Sequence, residues 1–234
     1  MIIVRFLAYL VINVVRLFNL VEFYQPTYNP HGYKFIRRNK QKRNSEDRFR
    51  AITAAIDVAC VHSYLDIGSQ FGYYVFKMAE LDRRIAAQGI EKDRVSYIYS
   101  CATKVLNKVQ NASFTRAQMT PMLAEQLSPY DIISFMNVFH HIVHFNGFET
   151  ADALVRALYR KCNKYFVFES GQFDEKGWYW SEDLSFMGEN PVQWIGDYLL
   201  QVGFDEVKLL ALVETHLSDR KRGLFLCTKN THPG

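Results

Sequence analysis

Three stretches of this 234-residue chain carry residue types and spacings that could do chemistry. The first is Asp66-Ile67-Gly68-Ser69-Gln70-Phe71-Gly72. Gly68 and Gly72 let the backbone turn tightly and approach a ligand, though they also read as ordinary turn glycines. The spacing is not GxGxxG and no Gly-Lys-Ser/Thr follows. A phosphate cradle is therefore weaker than a loop holding an uncharged nucleoside and an amino-acid tail. Asp66 could orient the loop amides or bind an ammonium group. The second is Glu91, twenty-five residues after Asp66. A carboxylate there can accept both hydroxyls of a ribose. The third is Asn137-Val138-Phe139-His140-His141-Ile142-Val143-His144. Adjacent histidines diverge on a helix and no HExxH occurs, so no metal site is expected. One of His140 and His141 could bind a substrate or accept its proton.

Four further groups qualify by type. Gln118 and Met119 could border a flat base, or be plain turn residues. Arg220 and Arg222, beside His216, could offer positive donors, or form a solvated hairpin turn. Tyr179 and Trp180 could wall a sugar or lipid, or simply pack in the core. Cys60, Cys101, Cys162 and Cys227 are far apart and form no CxxC pair, which argues against a zinc knuckle or disulfide framework.

The elements that must position these residues alternate. Strand runs are expected at 63–68, 84–92, 112–117, 130–138 and 164–170, with helices at 72–82, 93–108, 119–127 and 148–162 between them. Ser45, followed by Asp47 and Arg48, opens a helix expected to run to about Cys60. Repeated β–α units imply a parallel sheet covered by helices on both faces. The ending differs: a helix at 190–204, stopped by Gly203, then strands at 205–215 and 223–230 with no long helix between. They read as an antiparallel hairpin on the sheet edge. The expected fold is α/β and Rossmann-like, a mostly parallel seven-stranded sheet. Residues 171–189, rich in Trp, Tyr, Phe and acids, are too long for an ordinary turn and read as a lid or pocket wall.

Charge is uneven. Residues 1–50 hold ten Lys/Arg against three Asp/Glu, a balance of +7, and the remainder hold eighteen against twenty-one, a balance of −3. No nucleic-acid partner is expected of a mildly acidic body. Residues 1–21 are apolar apart from Arg5, Asn13, Arg16 and Asn19, which share one sector of a helix at about 100° per residue. This helix reads as lying on a membrane surface, with packing on the chain's own core or on a second subunit as the alternative, and a transmembrane anchor as a third reading that two arginines within the span disfavour. Lys34, Arg37, Arg38, Lys40, Lys42 and Arg43 then form a basic stretch suited to a linker, anionic headgroups or a substrate phosphate. Two regions are expected: 1–44, an apolar amphipathic helix and basic arm, and 45–234, the α/β domain.

On these residues the chain resembles the class I S-adenosylmethionine-dependent methyltransferases. DIGSQFG at 66–72 matches their first motif, Glu91 their ribose-binding acid and NVFHHI their fourth-strand motif. More narrowly it resembles the methyltransferase domain of the bifunctional O-antigen chain-terminating methyltransferase/kinases. YQ at 24–25, VFHHIVH at 138–144, FES at 168–170, YW at 179–180 and THLS at 215–218 carry that likeness. It implies S-adenosylmethionine as cofactor, held by Asp66, Gly68, Ser69, Gly72, Glu91, Gln118, Met119 and Asn137. It implies His140 or His141 as the catalytic group, and Tyr179, Trp180, His216, Arg220 and Arg222 toward the substrate. That family methylates a terminal phosphate on a membrane-linked polysaccharide. The expected activity is O-methylation of a glycan, phosphoglycan or lipid-linked saccharide, by a cytoplasmic protein peripheral on the inner face of a membrane. No kinase domain is expected in this chain. Methylation of a soluble metabolite, a nonenzymatic membrane-associated scaffold, and an NAD oxidoreductase are the rival readings.

Overall fold

The computed structural model describes residues 2–18, 20, 25–33, 44–215 and 218–230. The basic stretch 34–43, Tyr24 and His216 lie outside them. The strands β1 (Ser63–Ile67), β2 (Ala86–Glu91), β3 (Ala112–Arg116), β4 (Tyr130–Met136), β5 (Cys162–Glu169), β6 (Glu206–Glu214) and β7 (Lys221–Thr228) form a seven-stranded sheet in the order β3-β2-β1-β4-β5-β7-β6. The chain divides into two compact units, Met1–Ser45 with His62–Gln118, and Glu46–Val61 with Met119–Gly234. The first twenty residues thus belong to the same unit as the glycine turn.

In the first unit, β1 (Ser63–Ile67), β2 (Ala86–Glu91) and β3 (Ala112–Arg116) are parallel. Tyr64, Leu65, Asp66 and Ile67 are all buried, the continuous run of a strand covered on both faces. The first helix of the chain, α1 (Ile2–Leu17), packs Ala8, Ile12 and Val15 against Tyr99, Ala102 and Leu106 of a later helix (Arg94–Asn107). Its Arg5 Nη2 donates to Tyr33 Oη (3.0 Å) and to the Leu106 carbonyl (3.2 Å). A cation there sits at the negative end of the helix that Leu106 helps to close. The alternative of packing on the chain's own core is therefore realised by one face of α1. Among the described residues no helix is long and apolar enough to cross a membrane.

In the second unit, the helix begun at Ser45, α2 (Ser45–Ala54), ends six residues earlier than expected. Asp57, in an extended conformation, caps a separate 3-10 turn at Val58–Cys60 by accepting from the Ala59 N–H (3.1 Å). An Asp side chain competing for backbone donors is the physical reason for the break. Two strands, β4 (Tyr130–Met136) and β5 (Cys162–Glu169), are parallel. The last two, β6 (Glu206–Glu214) and β7 (Lys221–Thr228), form the antiparallel hairpin, with β7 also antiparallel to β5. The edge strand β6 is largely exposed and shifts register between Leu209 and Ala211, a bulge that blunts an open edge. The remaining helices are α3 (Tyr73–Leu81), α4 (Arg94–Asn107), α5 (Pro121–Gln126), α6 (Phe139–Asn146), α7 (Phe148–Lys161) and α8 (Pro191–Val202). Asn190 caps α8 by accepting from the Gln193 N–H (3.1 Å), Pro191 fills its first turn, and Gly203 closes it at φ +123°.

Candidate active site

The turn at the end of β1 is held from two sides. The Gly68 and Ser69 N–H groups both donate to the Ile90 carbonyl, at 2.8 and 3.2 Å. Gly68 and Gly72 take φ of +74° and +73°, and Gln70 between them takes +48°. Such a run is natural for glycine and costly for Gln. What holds Gln70 there is Glu91: its Oε2 accepts from the Gln70 N–H (2.8 Å), while Oε1 accepts from the Asp93 N–H (2.7 Å). Gly72 is doubly required, because an added Cβ would also lie 2.5 Å from the Phe114 ring. Asp66 is buried at the end of β1.

These residues fit an adenosine-bearing cofactor by the chemistry of their donors and acceptors. Each carboxylate oxygen of Glu91 spends one acceptor position on backbone and has a second suited to a ribose hydroxyl. Ser69 is placed differently from expectation. Its side chain is fully buried beneath the turn, where a Cβ on Gly89 would meet its Oγ at 2.6 Å. Its N–H donates to the Ile90 carbonyl and its carbonyl accepts from the Gly72 N–H (2.8 Å), so Ser69 braces the turn from within. Just past β3, Gln118 is exposed and Met119 is buried.

The second unit builds its polar cluster after β4. Asn137 adopts φ +61°, with its N–H donating to the Glu169 carbonyl (2.6 Å). A non-glycine residue in the left-handed region is strained, and such strain clusters at functional sites. The turn launches α6, which carries all three histidines. Segment 171–189 folds onto them. The Gly171 N–H donates to His140 Nδ1 (2.9 Å), Tyr179 Oη pairs with His141 Nδ1 (2.9 Å), and His144 Nδ1 pairs with Asp183 Oδ2 (2.6 Å). The expected lid is thus tied to α6 at three points. Partial burial raises the Tyr179 phenol above its ordinary pKa, so it remains protonated at neutral pH.

The Gly171 bond decides what His140 can do. A backbone N–H can only donate, so Nδ1 is the bare nitrogen and the ring proton sits on Nε2. His140 is 1% exposed, wedged between the rings of His141 (centroids 4.1 Å apart) and Trp180 (4.7 Å). Protonating Nδ1 would set two donors against each other and bury a charge. His140 is therefore a neutral hydrogen-bond donor, while the more exposed His141 keeps the option of taking a proton.

Arg222 also departs from expectation. It is 1% exposed, and its Nε and Nη2 fork the Glu175 carboxylate at 2.7 and 2.8 Å, while Nη1 donates to Asn137 Oδ1. Its charge is spent on the protein rather than presented to a substrate. Arg220 is exposed and lies 3.7 Å from Asp174. His216 lies outside the described residues. Tyr179 is exposed and Trp180 buried. Among the described residues no group of three or more His, Cys, Asp or Glu could hold a metal ion.

Sequence reasoning did not single out Glu175, Gly171, Asp183 or the pair Arg48–Glu169. Arg48 Nε and Nη2 donate to the two Glu169 oxygens at 2.7 and 3.1 Å, and both residues are buried. Glu169 is the middle of the quoted FES, the one available signal. In segment 171–189 the buried Trp180 Nε1 and Gln172 Nε2 have no hydrogen-bond partner among the described residues. A buried donor so placed is costly unless a ligand acceptor meets it.

No family model matches the chain, and no curated protein sequence matches it. Solved structures do. The bifunctional kinase-methyltransferase WbdD is 20% identical, with a TM-score of 0.74 over 92% of this chain and 45% of that one. EvdMO1 is 14% identical, with a TM-score of 0.61 over 92% of this chain and 46% of that one. The magnesium protoporphyrin IX methyltransferase ChlM from Synechocystis PCC 6803, solved with bound SAH, is 13% identical, with a TM-score of 0.58 over 79% and 81%. The chain therefore spans about half the length of the first two structures. At these identities the likeness establishes the fold alone, a Rossmann-like, mostly parallel α/β sheet closed by an antiparallel hairpin.

Proposed function

We propose that this chain is an S-adenosylmethionine-dependent O-methyltransferase whose acceptor is a glycan, phosphoglycan or lipid-linked saccharide. The observation that carries the reading is the left-handed turn Gly68–Gly72 braced by Glu91, at the carboxyl ends of β1 and β2 in a methyltransferase fold. That ChlM was solved with SAH supports the cofactor. That WbdD is a kinase-methyltransferase supports the reaction class. The acceptor class draws on the residues around α6. Trp180 and Gln172 supply buried N–H donors, Tyr179 supplies an exposed ring, and saccharides are rich in the oxygen acceptors these would meet.

When bound, S-adenosylmethionine supplies a methyl group already activated on a sulfonium. Glu91 would hold the ribose hydroxyls and the Gly68–Gly72 turn would hold the amino-acid tail. Asn137, fixed by Arg222 and the Glu169 carbonyl, shapes the backbone that launches α6. His140, a buried neutral imidazole, positions the His141 ring packed beside it. His141, with Nδ1–H donating to Tyr179, takes the proton of a hydroxyl acceptor at Nε2. A phosphate oxygen would need no base, only donors. The proposed location is the cytoplasmic face of a membrane. Nucleic acid is left out, because the net positive charge lies in residues 1–50 and the remainder of the chain is mildly acidic. One comparison favours a second reading, a soluble small-molecule acceptor: ChlM is named for a porphyrin substrate.

The test is calorimetric titration with S-adenosylhomocysteine, followed by incubation with S-adenosylmethionine and a panel of saccharide, phosphosaccharide and small-molecule acceptors. Micromolar binding and a one-methyl mass gain on a saccharide are expected. No binding would end the cofactor assignment, and transfer only to soluble metabolites would select the second reading.

A further inference from the structure

Half of the exposed large hydrophobic side chains among the described residues fall within the first twenty positions. Phe6, Leu7, Leu10, Val14, Leu17 and Phe18 are 40–77% exposed. At about 100° per residue they occupy a continuous arc of roughly 120° on α1. The face carrying Ala8, Ile12 and Val15, roughly opposite, is already buried against α4. The polar residues do not interrupt the outward arc. Arg5 donates to Tyr33 and Leu106, Asn13 Nδ2 to the Tyr9 carbonyl (2.8 Å), and Arg16 to Thr27 Oγ1 (3.4 Å). They form one stripe along the side of the helix. An uncharged apolar arc held on a rigid support is an interaction surface by size and continuity.

We propose that this arc is the docking surface for an anionic lipid membrane, with α1 lying in the plane of the interface. The helix has 16 residues, about 24 Å at 1.5 Å each, short of the roughly 30 Å a spanning helix must cover. Charge selects the occupant. Lys34, Arg37, Arg38, Lys40, Lys42 and Arg43 follow in the sequence with no acid among them. They lie outside the described residues, and only their charge enters. A second copy of the chain would bring a second like-charged run, and the two would repel. An anionic headgroup layer is complementary to it, and an apolar face with a nearby polybasic run makes the two signals that stable peripheral binding requires.

The experiment uses the full chain, with neither S-adenosylmethionine nor acceptor, so its outcome is independent of methyl transfer. Flotation is measured with vesicles of phosphatidylcholine alone and with about one third phosphatidylglycerol. Partition at least tenfold stronger into the anionic vesicles is expected, weakening several-fold as salt rises from about 50 to about 500 mM. Leu10→Glu with Leu17→Glu should reduce partition more than tenfold at an unchanged melting temperature. Leu10→Ser with Leu17→Ser gives the same reading if the charged pair alters folding. No partition into either vesicle would overturn the proposal. So would a concentration-dependent dimer, seen by light scattering, that the same substitutions dissolve.

Discussion

Glu175→Gln would remove a charge and almost nothing else from the buried Arg222–Glu175 ion pair. Glu175 is fully buried and accepts from Arg222 Nε (2.7 Å) and Nη2 (2.8 Å), from the Gln172 N–H (2.9 Å) and from Ser218 Oγ (3.4 Å). Gln offers one acceptor oxygen and turns an NH2 toward the guanidinium. Arg222 would keep Asn137 and the face of Trp180, 5.9 Å away, but no counter-charge. Losing one partner of a buried pair costs about 3–5 kcal/mol, because the survivor's charge stays out of water. At about 2–4 °C per kcal/mol for a chain of this size, the melting temperature should fall roughly 6–20 °C. Urea unfolding with an unchanged m-value is the assay. Glu175→Leu with Arg222→Met, which removes both charges, should recover most of the loss. A loss below about 1 kcal/mol for the single substitution would refute the reasoning, because Arg222 would then have to be solvated.

Three other outcomes are expected. His141→Ala should lower kcat/KM on a hydroxyl acceptor by about 10²–10⁴ and remove a titration limb in the histidine range, and 15N NMR should find His140 with its proton on Nε2; a flat profile within threefold of the parent would end the base assignment. Gly72→Ala should cost about 2–4 kcal/mol in urea unfolding, since it combines φ +73° with a Cβ 2.5 Å from Phe114, and should weaken S-adenosylhomocysteine binding by calorimetry. Burial pushes the Cys162 thiol from 9.0 up to about 12, so the unfolded chain loses that proton first, stability falls as pH rises from about 9 toward 12, and Cys162→Ala should flatten that limb of a urea-midpoint profile.

The alternation of elements was readable because each period leaves a local mark. Glu91 ends β2, Asp66-Ile67-Gly68 ends β1, and Gly203 stops α8, as spacing alone indicates. What was not readable depends on partners that come together only in the fold. Arg48 and Glu169 are 121 residues apart, and Arg222 and Glu175 are 47 apart. From sequence, Arg222 was one more cation in a turn. Its burial follows from its place in β7, where Arg222 to Cys227 are buried without a break, and an acid in segment 171–189 had to meet it. The unequal roles of His140 and His141 were hidden for another reason. They rest on a backbone N–H, and every residue except proline has one. The end of α2 at Ala54 turned on Asp57, whose capping bond outweighs the continuing helical pattern.

Gly171 bears on how this protein could be re-engineered. A Cβ there would lie 2.7 Å from Trp180 Nε1 and 2.9 Å from His140 Cγ, so the position excludes even alanine without displacing an aromatic ring. The imidazole and indole are set by main chain, and a library varied at that residue would return mostly misassembled proteins. Tyr179, 54% exposed at the other end of the same stack, has room for change. Selection for new acceptors should therefore vary Tyr179 and leave the glycine untouched.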